Sequence, residues 1–225
     1  MKISDLIKQN KDKFDLYYKF LVNENEKYNL TAITNENEVF VKHFEDSLVL
    51  KEALDNVLNN LSLLDVGSGA GFPAIPLKIC YPSLDITIIE PTQKRVNFMN
   101  EVIRLLNLDK IKVICGRAED LARAEEEKFD IVCARAVAYL PTLLELLARF
   151  CKVNGNVCAY KGDKAYTELE ESRNALKELK LEINKVYEYE LSNNLGKREI
   201  IVLKKKSHTP NKYPRRYSEI KKNPL

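Results

Sequence analysis

At 225 residues the chain is long enough for one α/β domain with an appendage, and its 45% hydrophobic content suits an ordinary globular core. No apolar run approaches a membrane span and the N-terminal MKISDLIKQNKDKF lacks the apolar core of a secretory signal, so a cytoplasmic protein is expected. The formal charge of +3 is unevenly spread: residues 204–225 carry eight Lys/Arg and one Glu, a net of +7, which leaves −4 for the rest.

The first 60 residues predict helices. Phe14, Tyr17, Tyr18 and Leu21 recur at helical spacing, and Leu50, Leu54, Val57, Leu58 and Leu61 repeat the pattern beyond a polar break, NENEKYNLTAITNENE. From Leu61 the pattern alternates. Strands are predicted at 61–66, 85–90, 111–115, 129–134 and 155–160, with helices at about 73–80, 92–107, 117–125, 141–150 and 164–179. Two last strands, near 183–190 and 198–204, are joined by SNNLGK without a helix, so they pair antiparallel. Strands alternating with helices build a parallel sheet covered on both faces. The expected organisation is an N-terminal helical extension over 1–60, an α/β domain over 61–206 and a basic tail over 207–225. The tail, with two tyrosines and three prolines among its charges, reads as a solvated, partly disordered end or as an arm that binds polyanions.

Five cysteines, at 80, 115, 133, 151 and 158, are scattered singly, and the only histidines are His43 and His208. No C-x-x-C pair exists, so no metal site is expected. Runs such as IKVIC and FDIVCA give most of these thiols the role of small buried hydrophobes.

The stretch LLDVGSGAGFPAIPLKI, Leu63 to Ile79, reads as a strand turning through glycines into a helix. It is not a P-loop, because Phe-Pro follows Gly71 where Lys-Ser/Thr is needed. Gly67, Gly69 and Gly71 are spaced G-x-G-x-G, one residue short of the dinucleotide pattern. Asp65, just before the loop, is badly placed for a pyrophosphate and suits a ligand with a cationic amino-acid end. S-adenosylmethionine has that end. Glu90, 23 residues after Gly67, closes the second strand, where a carboxylate accepts ribose hydroxyls; it also reads as a charge favoured at a helix N-terminus. In GRAED, Gly116 to Asp120, the Ala118 backbone and the Glu119 side chain are placed to address an adenine edge, or to cap a helix. Tyr160 and Lys164 mimic a dehydrogenase Y-x-x-x-K pair, but Gly162 and Asp163 put them at a strand end rather than on one helix face.

YNLTAITNENEVFVKHFEDSL, the GFPAIPL continuation, PTQKRVNFMNEV, GRAED, CARAVAYL, YKG and the tail's TPNKYPRR together resemble the RsmG (GidB) family of bacterial small-subunit ribosomal RNA guanine-N7 methyltransferases. Pro91 is a mild departure, standing where a small polar residue is more usual. The resemblance implies a class I, Rossmann-like methyltransferase fold: a mostly parallel seven-stranded sheet with one antiparallel strand, preceded by N-terminal helices. It implies S-adenosylmethionine as cofactor, held by Gly67, Gly69, Phe72, Glu90, Ala118, Glu119 and Arg135. It also implies that His43, Asp46, Arg117, Lys161 and Arg198 face RNA or organise the reaction. Plainer roles stand beside these: a core histidine for His43, a helix cap for Asp46, solvated charges for Lys161 and Arg198. The implied substrate is small-subunit (16S) ribosomal RNA, free or as the 30S particle, met by a monomer.

Missing motifs agree with that acceptor. There is no Pro-Pro pair for the [DN]-P-P-[YFW] loop of amino-group methylation, and no cysteine follows a proline, as pyrimidine C5 methylation would need. Guanine N7 is an exposed lone pair with no proton to remove. A small-molecule methyltransferase would share the cofactor site without a reason for the basic tail, and a non-catalytic nucleotide-sensing RNA-binding protein would keep the glycines.

Overall fold

In the computed structural model, which describes residues 1–55 and 58–225, α1 (Ile3–Gln9) and α2 (Lys11–Tyr28) form the first layer. The helical spacing works as predicted: α2 buries Phe14, Tyr17 and Leu21. It runs into the polar break before stopping at Asn29, whose left-handed backbone ends it. After the break come α3 (Glu36–Val39), whose Glu38 N–H is capped by the Asn35 side chain, then a π-helical turn over Phe40–Glu45, α4 (Asp46–Leu48) and α5 (Leu50–Ala53). The second predicted apolar helix therefore survives only as a short turn. Val57 lies outside the described residues, and Leu58 and Leu61 follow outside any helix.

The alternating region supplies β1 (Ser62–Val66), α6 (Ala74–Cys80), β2 (Asp85–Glu90), α7 (Gln93–Leu105), β3 (Ile111–Cys115), α8 (Ala118–Leu121), β4 (Phe129–Arg135), α9 (Leu140–Leu147) and β5 (Cys151–Lys161). It closes with α10 (Ala165–Glu171), α11 (Arg173–Leu179), β6 (Leu181–Glu190), β7 (Lys197–Lys205) and α12 (Tyr217–Lys222). The sheet order is β3-β2-β1-β4-β5-β7-β6, with β7 antiparallel to both β5 and β6 and the other pairs parallel. This is the expected class I, Rossmann-like arrangement. The period-2 alternation of β1 divides the core. Leu63 packs with the N-terminal helices, α6 and α7 on one face, while Leu64 and Val66 pack with α9 and α11 on the other.

Local differences from expectation have local causes. The helix predicted over 117–125 is only α8, because AEDLARAEEEK offers little beyond Ala118 and Ala122 to bury. The single helix predicted over 164–179 is broken at buried Ser172, whose hydroxyl donates to Glu168 O at 2.7 Å. Strand β5 starts earlier than predicted, since Gly155 lets the chain pass where a Cβ would lie 2.9 Å from Asp130 O. Cys115 is exposed, against expectation, because β3 is an edge of the sheet.

The largest correction concerns the tail. It is not a solvated arm: Thr209, Tyr213 and Ile220 are buried, and α12 packs against α9. Arg215 forms a two-pronged pair with Glu145, at 2.9 and 2.6 Å, and Glu145 is 0% exposed. Arg149 adds a bond to Tyr213 O at 2.9 Å. Among the described residues no helix is long and apolar enough to cross a membrane.

Candidate active site

The chain leaves β1 and turns through Gly67, Gly69 and Gly71, with φ of +73°, +63° and +98°. These values favour glycine. The Gly67 N–H donates to Ile89 O at 2.8 Å, tying the loop to β2. Tyr17, from α2, donates its hydroxyl to Ala70 O and stacks its ring on Phe72 with centroids 5.6 Å apart. A Cβ on Gly71 would stand 2.7 Å from that hydroxyl and 2.5 Å from Ile75 Cδ1. The N-terminal layer therefore sets the position of the loop. Asp65 does not face a ligand as the sequence suggested. It is fully buried beneath the loop, where Oδ2 accepts from Ser68 Oγ at 2.5 Å and from the Ala74 N–H at 3.2 Å. Its Oδ1 is buried with no partner among the described residues, and burial pushes the carboxyl up to about 7.

Two pockets open at the carboxyl ends of β1, β2 and β4, and Gly67, Arg95 and Ala136 line both. This is the edge where ligands of open α/β sheets bind. The first, about 280 Å³, is walled by Glu90, Arg117, Ala118, Glu119, Val137 and Tyr217 among others. Buried Glu90 accepts from the Gly69 N–H at 3.1 Å through Oε2 and from the Thr92 N–H at 3.1 Å through Oε1. Glu90 thus ties the glycine loop to the residue that precedes α7 and lines the first pocket. Arg95 stands 3.7 Å from Glu90 and Arg117 stands 3.8 Å from Glu119.

The second pocket, about 200 Å³, has Thr31, His43, Phe72 and Arg135 in its wall. His43 lies on the π-helical turn, an irregularity often found at functional sites. Its ring stacks on Phe72 at 4.6 Å and 20°, and its Nε2 is 2.9 Å from Thr31 Oγ1. Burial, with the Arg135 charge second, pulls its pKa down to about 4, so the imidazole is neutral at physiological pH. The Arg135 guanidinium sits 5.2 Å from the Phe72 centroid and donates to Asp46 Oδ2 at 2.7 Å and Lys42 O at 3.1 Å. Tyr189 occupies the other Asp46 oxygen at 2.6 Å.

A family described as rRNA small subunit methyltransferase G matches residues 10–200 of this chain. The chain belongs to that family. Ribosomal RNA small subunit methyltransferase G of Streptococcus gordonii is 47% identical over 225 residues, covering 98% of this chain and 94% of its own. The protein of the same name from Mesoplasma florum is 45% identical over 94% of this chain and 88% of its own. Among solved structures, ribosomal protein L11 methylase from Lactobacillus delbrueckii subsp. bulgaricus superposes with a TM-score of 0.56 at 18% identity, over 74% of this chain and 79% of that one. M. jannaschii TYW2, solved in complex with AdoMet, gives 0.55 at 17% identity over 71% and 74%. At such identities these two likenesses speak for the fold alone.

Of the positions that resemblance to the methyltransferase G family implied, Gly67, Gly69, Phe72, Glu90, Ala118, Glu119, Arg135, Arg117 and His43 line the two pockets. Asp46, Lys161 and Arg198 do not. Asp46 has both oxygens engaged and positions Arg135. Lys161 is neither at the pockets nor a solvated charge: its side chain is 8% exposed and donates to Glu168 Oε2 at 2.7 Å and Ala138 O at 2.8 Å. The same Glu168 oxygen accepts from the Leu140 N–H at 2.8 Å, so the pair braces the loop after β4 that carries Ala136 and Val137. Arg198 lines a separate depression with Glu188 and Tyr189. Tyr160 lies in β5 and donates to Ser47 O at 2.8 Å, which removes the dehydrogenase pair. Sequence reasoning missed Arg95, Thr31, Val137 and Tyr217. Arg95 stood in the PTQKRVNFMNEV segment and Thr31 in YNLTAITN, so a signal existed for both; Tyr217 had none.

Proposed function

We propose that this chain transfers a methyl group from S-adenosylmethionine to N7 of a guanine in small-subunit ribosomal RNA, as a cytoplasmic enzyme. The observation that carries the reading is the pair of pockets meeting at Gly67, Arg95 and Ala136, one suited to a nucleoside and one to a flat acceptor. The first fits the cofactor. The Gly67 backbone lines it, where a Cβ would stand 2.7 Å from Val137 Cγ2 of the same wall, and the Glu90 carboxylate faces the same pocket. When bound there, S-adenosylmethionine would supply a methyl group activated by its sulfonium. Gly67, Glu90, Ala118 and Glu119 would hold it, while Gly69, Phe72 and Arg135, expected from the resemblance to share that task, line the second pocket.

The second pocket suits an acceptor that needs no base. Neutral His43 has its Nε2 occupied by Thr31, Ser68 has its hydroxyl on Asp65, and Arg135 is a permanent cation bound to Asp46. No carboxylate lines that wall among the described residues. Guanine N7 carries an available lone pair and loses no proton, so alignment and exclusion of water remain as the protein's contribution. The His43–Phe72 stack offers an aromatic surface for a base, and Arg135 offers donors to its acceptor edge. Asp46 is not free to contact the base; it fixes Arg135 instead.

The test is methyl transfer from tritiated S-adenosylmethionine to naked rRNA, small ribosomal subunits and small molecules in parallel, followed by chemical cleavage specific to 7-methylguanine. Label in RNA that maps to one 7-methylguanine is the expected result. Label confined to small molecules, or no transfer with intact cofactor binding, overturns it.

A further inference from the structure

We propose that Tyr217 is a cofactor-contacting residue, so that the C-terminal segment completes the wall of the cofactor pocket; this rests on the assignment of that pocket to S-adenosylmethionine. The ring lines the same cavity as Gly67, Glu90 and Glu119, although it comes from the far end of the chain. It is 36% exposed. A large aromatic left that open at the mouth of a cavity is poised to cover a flat ligand, and purines stack well on such rings.

The ring is also held in place. Ile220, one turn further along α12, is fully buried, and Tyr213, four residues before it, is buried with its hydroxyl on Glu178 at 2.9 Å. Between them the Arg215 pair with Glu145 fixes the chain just before the helix. On the pocket side, the Arg117 guanidinium lies 6.0 Å from the Tyr217 centroid while standing 3.8 Å from Glu119. Tyr217, Arg117 and Glu119 thus form one rim, with a cation–π contact joining the C-terminal helix to the loop before α8. Anchors on both sides present the ring at little entropic cost on binding.

The chain has no tryptophan, which makes the test clean. Calorimetry with S-adenosylmethionine and S-adenosylhomocysteine should show Tyr217→Ala binding roughly tenfold weaker and Tyr217→Phe within about twofold of the parent. In Tyr217→Trp the introduced indole is the only one in the molecule, and its emission should change saturably at the calorimetric Kd. Thermal melts of all three should match the parent, because Tyr213, Arg215 and Ile220 remain. If Tyr217→Ala melts early, the Phe and Trp variants still decide. Unchanged affinity in Tyr217→Ala, an equal loss in Tyr217→Phe, or an indole blind to ligand would overturn the proposal while leaving the pocket assignment standing. Failure of the unmodified protein to bind either ligand would overturn both.

Discussion

Glu90 serves two partners with one carboxylate, holding the Gly69 N–H with one oxygen and the Thr92 N–H with the other. An amide keeps only one acceptor and sets its NH₂ against a donor. Glu90→Gln is therefore expected to weaken S-adenosylmethionine binding about tenfold, roughly 1.4 kcal/mol, in calorimetry. Unchanged affinity would remove Glu90 from the cofactor site. Asp65 and His43 make a paired pH prediction with opposite signs. Asp65, at about 7 in the fold against 3.8 ordinarily, holds its proton more tightly when folded, so its contribution to stability declines as pH rises from about 4 to 7. His43, at about 4 against 6.5, is protonated first in the unfolded chain, so its contribution declines as pH falls from about 6.5 to 4. Each effect is on the order of 3 kcal/mol. Urea melts across this range should show Asp65→Asn gaining on the parent as pH rises, and His43→Gln gaining as pH falls. Parallel curves would refute the buried-charge account of either residue.

Among the elements, the C-terminal segment is where structure most changes the expectation. Removing 207–225 would strip Arg215 from Glu145, uncover the site of Ile220 and take Tyr217 from the pocket, so it cannot leave fold and cofactor affinity untouched. The sharper variant is Arg215→Ala. It leaves a fully buried carboxylate without its cation, and a loss of about 3 kcal/mol is expected in denaturant melts. Arg173→Ala breaks a close pair with Glu170 at the surface and should change nothing measurable. Equal effects from the two would mean that burial does not decide the worth of these pairs. The loop after β4 depends on another element in the same way, since Lys161 and Glu168 brace it from β5 and α10.

Over the whole molecule, docking of the tail does not neutralise it. Arg216, Lys221 and Lys222 stay exposed, on the same segment that carries Tyr217. RNA binding should weaken steeply with salt, because every neutralised phosphate releases counterions. Lys221→Gln combined with Lys222→Gln spares the buried anchors. It should flatten the plot of log affinity against log salt by about 0.7 for each phosphate that is no longer neutralised on single-stranded RNA. Filter binding across a salt series measures this, and an unaltered slope would take α12 out of the RNA interface.

The seven strands, the turn at the glycines and the acid that closes β2 were legible in the sequence because each is a local pattern: alternation of apolar residues, glycine where φ turns positive, a carboxylate at a strand end. The family-specific segments also singled out His43 and Arg135, which the fold brings together in the wall of one pocket. What Asp65, Asp46 and Lys161 do was not legible, because it depends on what lies opposite each carboxylate or ammonium once the chain has folded. Asp65 is taken by Ser68 and the start of α6, Asp46 is claimed by Arg135 and Tyr189, and Lys161 turns to Glu168. The tail makes the same point in reverse. Its charge and short supply of apolar residues are facts of composition, and they describe a solvated end; yet Tyr213 and Ile220 find a ready surface on α9 and α11. Composition fixes how much a segment has to bury, but only the folded surface beside it decides whether there is somewhere to bury it.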